Sequence, residues 1–380
     1  MFAAFSRLLQ RHWWRPRLSA LTAALLPLSW LVGAVAAHRR AAAARERASA
    51  GAVRLPVPVV VVGNVIVGGA GKTPTVIALV AQLRADGWTP GIVSRGHGRA
   101  DAGIQLLDAT TPVDAATAAA FGDEPLLMHR RTGVPVAVGR RRLDAARRLL
   151  QAHPGLDLLI ADDGLQHHAL PRDVELVVFD DRGLGNGHAL PAGPLRERAD
   201  DVWPRHPLAA ARFVLVNGRW PAPPALALPA PPSSCWQATR ELGGAIDLAD
   251  WQRGAPASRA ALAALRGRPL LAAAGIGDPE RFFSMLEDQG LVIERLPLAD
   301  HAVFGKLPWP AATPEVVVTE KDAVKLAGCA LGATKVRVVT LDFRLPPGLV
   351  EALRAALPAP PGRHAAAPPN TAPRSGASPP

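Results

Sequence analysis

The chain has no tyrosine, two cysteines and three methionines in 380 residues. Cys235 and Cys329 stand far apart and form no CxxC pair, which argues against a disulfide framework or a cysteine-built zinc site and fits a reducing compartment. Both read as structural thiols. Aromatic residues make up only 5%, and neither an RNA-binding signature nor zinc-finger spacing occurs, so nucleic acid is not an expected partner. No protein partner is evident, and no internal repeat occurs. Acidic residues are also the smaller charged class, 32 against 43 basic ones, for a formal charge of +11. That surplus favours anionic ligands such as phosphate groups or acidic lipid head groups. What is abundant is apolar: 49% of residues are hydrophobic and 20% charged, enough to bury a core in two compact domains with appendages.

From Leu18 to Ala37 the sequence is almost wholly apolar, LSALTAALLPLSWLVGAVAA. Its length is close to the ~20 residues that cross a bilayer as a helix, although Pro27 would kink it. Trp13, Trp14 and Trp30 suit interfacial depth, and arginines flank both ends, Arg7 to Arg17 and Arg39 to Arg47, so charge does not set an orientation. A cleaved signal peptide and a helix lying in the interface are the alternatives. Residues 1–50 are read as a retained membrane anchor followed by a basic helix from Ala41 to Arg54.

Beyond the anchor, short Val/Ile/Leu runs alternate with amphipathic stretches, the pattern of βα units around a parallel sheet. Strands are expected at Pro58–Val62, Gly91–Ser94, Val134–Val138, Leu156–Ala161 and Val174–Phe179, with helices at Thr73–Ala85 and Arg140–Ala152. A second set follows at Phe213–Val216, Leu270–Ala274, Leu291–Leu296, Val316–Thr319 and Val336–Leu341, with helices at Pro279–Gln289 and Pro347–Ala356. The expected fold is α/β: a P-loop NTPase-like parallel sheet over 51–205, a second smaller α/β lobe over 206–357, and a disordered Pro/Ala-rich tail over 358–380.

Two motifs carry chemistry. The first strand runs into Gly63-Asn64-Val65-Ile66-Val67-Gly68-Gly69-Ala70-Gly71-Lys72-Thr73-Pro74. Glycines between a buried strand and a helix let backbone N–H groups surround a phosphate. Lys72 supplies a point charge to the β- and γ-phosphates, the Thr73 hydroxyl can ligate Mg²⁺, and Pro74 pre-sets the helix start. Ile66 stands where G-x-x-x-x-G-K-[ST] has its first glycine. The second motif, Asp162-Asp163-Gly164-Leu165-Gln166-His167-His168, ends a hydrophobic strand, where a P-loop fold places its Mg²⁺-binding acid. Arg140, Arg141, Arg142, Arg147 and Arg148 cluster on a helix, and a solvated face is favoured over a docking site. Val67 replaces the signature lysine of partitioning-type ATPases, and no Asn-Lys-x-Asp guanine motif occurs.

The loop, together with Ser94-Arg95-Gly96, Gly122-Asp123-Glu124-Pro125, Asp162 to His167, Gly193-Pro194-Leu195-Arg196-Glu197, Asp300-His301 and Thr319-Glu320-Lys321-Asp322, resembles the ordered motifs of the tetraacyldisaccharide 4′-kinases. His97 stands at the family's usual tyrosine, and Ala70 at a common threonine. The resemblance implies ATP- and Mg²⁺-dependent phosphorylation of the 4′-hydroxyl of a lipid A disaccharide 1-phosphate at the inner membrane, with the catalytic domain cytoplasmic. It further implies Asp123 as base with His301 assisting, beside Lys72. Gly68, Gly69, Ala70, Gly71, Lys72, Thr73 and Pro74 would bind nucleotide, and Thr73, Asp162 and Asp163 the metal. Gln166, His167 and Glu197 would be supporting groups. A membrane-tethered nucleotide-binding scaffold without catalysis is the rival reading.

Overall fold

The computed structural model describes residues 9–15, 17–49, 53–96, 99, 103–201, 208–218, 234–300, 304, 306–326 and 328–361. His97, His301 and most of the expected tail lie outside these residues. Twelve strands form one sheet in the order β10-β9-β11-β12-β8-β7-β6-β1-β5-β2-β4-β3. In chain order they are β1 Val59–Gly63, β2 Pro90–Ser94, β3 Gln105–Leu107, β4 Val136–Val138, β5 Leu158–Asp162, β6 Val174–Asp180, β7 Ala211–Asn217, β8 Cys235–Asp247, β9 Pro269–Ala274, β10 Val292–Pro297, β11 Glu315–Thr319 and β12 Lys335–Arg344.

β1 is wholly buried, parallel to β5 on one side and β6 on the other. A run of four valines suits a strand covered on both faces. Its side chains divide by period two. Val60 and Val62 join Val76, Leu79 and Leu83 of the helix Lys72–Ala85 and Leu126 of Asp123–Thr132. Val59 and Val61 face the other way, with Ala145, Ala146 and Leu149 of the helix Arg142–Ala152. A third cluster, including Phe283, Leu286, Leu270 and Val317, fills one face of the C-terminal strands.

The two halves of the sheet meet in β8. Cys235 to Ala238 run parallel to β7, and Thr239 to Asp247 run antiparallel to β12. β8 has no Val/Ile/Leu run, so the sequence pattern did not show it. Strands run parallel within each half, β3 excepted, and β8, parallel to β7 but antiparallel to β12, reverses the direction between the halves. The carboxyl ends of β1, β2, β5, β6 and β7 face those of β9, β10 and β11 across one cleft, the crevice where open α/β sheets bind ligands.

The apolar N-terminal run does not form one crossing helix. It divides at Leu25 into helices Ala20–Ala24 and Leu26–Ala48, because Pro27 offers no N–H to the preceding turn and serves instead in the first turn of the second helix. That helix is 23 residues long, but its second half carries Arg39, Arg40, Arg45, Glu46 and Arg47. Among the described residues no helix is long and apolar enough to cross a membrane. The basic helix expected from Ala41 to Arg54 is its continuation, and it ends at Ala48. One face, with Ser29, Gly33, Arg40 and Ala43, is buried against the sheet domain, while Leu28, Trp30, Leu31 and Val35 are exposed.

Arg47 closes the helix onto the domain by donating to the Leu170 and Leu208 carbonyls. His168 sits in this seam, half-buried, and its Nδ1 meets no partner among the described residues. Burial, then the charges of Arg172 and Arg40, bring its pKa down to about 4 from an ordinary 6.5. The unfolded chain therefore binds a proton more readily than the folded one between these values, and stability falls as pH drops through that window. Urea denaturation should show His168 alone costing about 1 kcal/mol between about pH 7.5 and about pH 5.5. The variant His168→Gln should lose that part of the pH dependence.

Candidate active site

The glycine-rich loop leaves β1 and enters the helix Lys72–Ala85 through two glycines in left-handed conformation, Gly68 at φ +97° and Gly71 at φ +88°. A side chain at Gly71 would be strained there and would overlap Asn217, whose Nδ2 donates to the Ala70 carbonyl at 3.2 Å. Gly69 faces Gly277 of the opposite half, so closely that a Cβ on Gly277 would lie 2.8 Å from Gly69 N. A cavity of about 990 Å³ opens here, lined by Gly68, Gly69, Gly71, Lys72, Thr73 and Pro74 from the loop. Ala70 is buried beneath it.

Lys72 reaches back over the loop. Its Nζ donates to Asn64 Oδ1 at 3.3 Å and lies 3.7 Å from Asp163 Oδ1. Asp163 follows β5 with φ +48°, a left-handed conformation that Asp tolerates better than most residues. Arg196 Nη1 donates to both of its oxygens at 3.0 Å. Burial works to raise the Asp163 pKa, but Lys72 and Arg196 outweigh it and hold the carboxyl below its ordinary value.

Asp162, the last residue of β5, is buried more deeply. Ser94 Oγ, at the end of β2, donates to its Oδ2 at 3.0 Å, while Oδ1 meets no partner among the described residues. Burial, then the neighbouring charges of Glu124 and Asp163, push its pKa up to about 7 against the pull of Lys72. An acid so placed is short of positive charge. A hard divalent cation shared with phosphate oxygens is the ligand that suits one carboxylate and a neighbouring hydroxyl, here Thr73.

Gln166 and Glu197 stand behind these groups. Gln166 Nε2 donates to Glu197 Oε1 at 2.8 Å and to the Asn64 carbonyl at 3.3 Å. The segment carrying Arg196 and Glu197 lies along the loop: Arg196 N donates to the Val65 carbonyl at 2.7 Å, and Val67 N to the Pro194 carbonyl at 2.9 Å. His167 points away, its Nε2 2.8 Å from Arg142 Nη1. Burial and then Arg142 lower its pKa to about 4, so it serves as a neutral acceptor.

Asp123 opens its helix, with Oδ1 accepting from the Glu124 N–H at 2.9 Å. Its carboxylate is buried and 3.9 Å from Lys321 Nζ, whereas Glu124 lines the cavity. Lys321 also meets Glu124 and Asp300, each at 2.9 Å, and so ties the two halves of the sheet. Burial works against its charge, but the carboxylates beside it raise its pKa.

The structure thus brings Lys72, Thr73, Asp162, Asp163 and Gln166 to one cavity and sets His167, Glu197 and Asp123 behind its wall. Of the arginine cluster, Arg140, Arg141, Arg147 and Arg148 are exposed as expected, but Arg142 is buried and donates to the Asp163 carbonyl at 3.2 Å. Sequence reasoning passed over Asn217 and Arg182. Arg182 donates to the Gly69 carbonyl at 3.1 Å and is held by Asp180. The one signal for either is a polar residue at or just past the end of a buried strand.

A family model described as tetraacyldisaccharide-1-P 4′-kinase matches residues 21–358. The tetraacyldisaccharide 4′-kinase of Methylibium petroleiphilum is 52% identical over 339 residues, covering 88% of this chain and 89% of the relative. That of Leptothrix cholodnii is 50% identical over 348 residues, covering 90% and 93%. Among solved structures, LpxK from Aquifex aeolicus in complex with ATP superposes with a TM-score of 0.70 at 23% identity, covering 89% of this chain and all of that one. At that identity the likeness speaks to the fold. The family match spans the chain from the N-terminal helices to the end of the last helix, and the chain belongs to the tetraacyldisaccharide-1-phosphate 4′-kinase family.

Proposed function

We propose that this chain transfers the γ-phosphoryl group of ATP to the 4′-hydroxyl of a tetraacylated glucosamine disaccharide 1-phosphate, forming lipid IVA in lipid A biosynthesis. The observation that carries this reading is convergence. Lys72 leaves one strand and Asp162–Asp163 ends its neighbour, and all three line one cavity, with Lys72 3.7 Å from Asp163. Family membership supplies the acceptor.

Phosphoryl transfer asks a protein mainly for positioning and charge neutralisation. The N–H groups of Gly68 to Thr73 would cradle the triphosphate, and Lys72 would turn from Asp163 toward its terminal oxygens. Thr73 and Asp162, with Asp163 beside them, would hold Mg²⁺, which would supply positive charge to offset that of the phosphates. The acceptor oxygen forms its bond to the γ-phosphorus as the bond to the bridging oxygen breaks. ADP leaves with that oxygen, and the hydroxyl proton passes to a carboxylate. Asp123, 3.9 Å from Lys321 Nζ, is the proposed base, with His301 as its assistant. A second reading follows from Glu124, whose carboxylate faces the cavity where that of Asp123 does not.

The acceptor is a lipid, and the exposed face of the helix Leu26–Ala48 offers Leu28, Trp30, Leu31 and Val35 to an interface. We place that face in the surface of the inner membrane, not across it, with flanking arginines on anionic head groups.

Three outcomes follow. Lys72→Met should lower kcat about 10²–10³-fold while the protein melts normally. Asp123→Ala should lower kcat about 10²–10⁴-fold with little change in the KM for ATP. A folded Asp123→Ala enzyme with normal turnover, beside an inactive Glu124→Gln, would transfer the base role to Glu124. Trp30→Ala/Leu31→Asp should weaken co-sedimentation with anionic vesicles yet leave turnover on detergent-dispersed acceptor intact, and carbonate washing should release the full-length protein.

A further inference from the structure

The buried face of the helix Leu26–Ala48 is tied to the glycine-rich loop by a run of polar contacts. Ser29 Oγ donates to the Ala189 carbonyl at 2.7 Å, and Gly33 lies so close to the Arg198 stem that a Cβ there would sit 2.7 Å from Arg198 Cγ. About two turns further on, Arg40 forms an ion pair with Glu197. Both are deep, at 8% and 2% exposure. Glu197 accepts from Gln166 through its other oxygen, and Gln166 donates to the Asn64 carbonyl, where the loop begins. Gln166 Oε1 also accepts from Arg196 at 3.4 Å, the arginine that grips Asp163. A second tie, from the segment that precedes this helix, reaches the middle of the loop. Arg182 lies over the Trp14 ring at 4.3 Å and donates to the Gly69 carbonyl.

The energetics give this arrangement a direction. A carboxylate as buried as Glu197 needs a cation. With Arg40 present, Glu197 is satisfied and leaves Arg196 to Asp163. Without it, Glu197 would draw on Arg196, to which Gln166 links it, and a movement of Arg196 would release Asp163 to Lys72. Lys72 would then be held on a carboxylate and kept from a phosphate.

We propose that the helix Leu26–Ala48 is part of the phosphoryl-transfer site, with Arg40 as a positioning residue that acts through Glu197 and Gln166 on the glycine-rich loop. The inference rests on the reading of that loop given above and adds to it. The helix is then two-sided: its outer apolar face meets the lipid interface, and its inner face sets the geometry in which ATP is held.

The test uses the full-length protein with ATP, Mg²⁺ and detergent-dispersed disaccharide 1-phosphate. Arg40→Met should lower kcat about 10–100-fold, while the KM for the lipid and co-sedimentation with anionic vesicles stay unchanged. Arg40→Lys should recover part of the loss. The uncharged pair Arg40→Met/Glu197→Gln removes the buried charge that could hinder folding, and its kcat should be no lower than that of Glu197→Gln alone, because both substitutions break one linkage. Wild-type kcat in Arg40→Met, or in the double variant where the single one does not melt cooperatively, would overturn the proposal. A deficit confined to the lipid KM or to vesicle binding would do the same. Lys72→Met in the same assay separates the two readings. If it is inactive while Arg40→Met is normal, only the role of the helix fails. If Lys72→Met is fully active, the loop reading fails.

Discussion

Adjacent carboxylates at the end of a buried strand repel each other, and the site is organised around that repulsion. Asp162 and Asp163 line the same cavity but take different partners, and Asp163 adopts a left-handed backbone conformation. Asp163 is met by Lys72 and by two hydrogen bonds from Arg196, while Asp162 receives one hydroxyl and keeps one oxygen without a partner. The two acids therefore separate: one is held charged and the other is pushed toward neutrality. An added cation would be drawn to the second. Much of the surrounding structure serves the first: Arg196 and Arg142 touch Asp163, Gln166 accepts from Arg196, and Glu197 accepts from Gln166.

Much of this was legible in the sequence because it depends on local pattern. A run of valines before a glycine cluster and lysine, and a Leu/Ile run before two aspartates, gave β1, β5 and their motifs in place, with boundaries within a residue or two. The helix Pro347–Ala356 matches its expected bounds because proline marks its start. What was not legible depends on contacts distant in sequence. β8 is half polar, and its place is set by pairing with β7 on one stretch and β12 on the other, which no window of residues contains. Arg142 looked like one of five arginines on a solvated helix. Only the fold shows that its position alone turns inward to Asp163 and His167. The apolar N-terminal run was misleading for a related reason. Its hydropathy is that of a crossing segment, but the break at Leu25 and the burial of one face decide otherwise.

The two halves of the sheet contribute different chemistry to the cleft. The half around β1 supplies backbone N–H groups and the cation–carboxylate set. The half around β11 supplies Lys321, which meets Asp123 and Glu124 from the first half and Asp300 from its own. Asp322, next in sequence, fixes the facing loop by accepting from Gly275 N at 2.9 Å and from Thr319 Oγ1 at 2.7 Å. Gly277, on that loop, faces Gly69 of the first half so closely that a Cβ on Gly277 would come within 2.8 Å of Gly69 N, whereas one on Gly69 would make only an ordinary contact. Glycine is therefore required on the Gly277 side of that approach.

The Arg40–Glu197 pair is the place where stability and function can be told apart by argument. Burying two charges is costly, and a pair of apolar residues of similar size often serves stability as well or better. If the helix Leu26–Ala48 needed only to be docked, Leu and Met at these positions would suffice, and the helix already has Ser29, Gly33 and Arg47 to fix its place. Glu197 is different because its second oxygen accepts from Gln166. An apolar residue there would leave the Gln166 amide with the Asn64 carbonyl alone and Arg196 with a neighbour free to turn. The charge on Glu197 is thus set by the needs of the loop, and the charge on Arg40 follows from it.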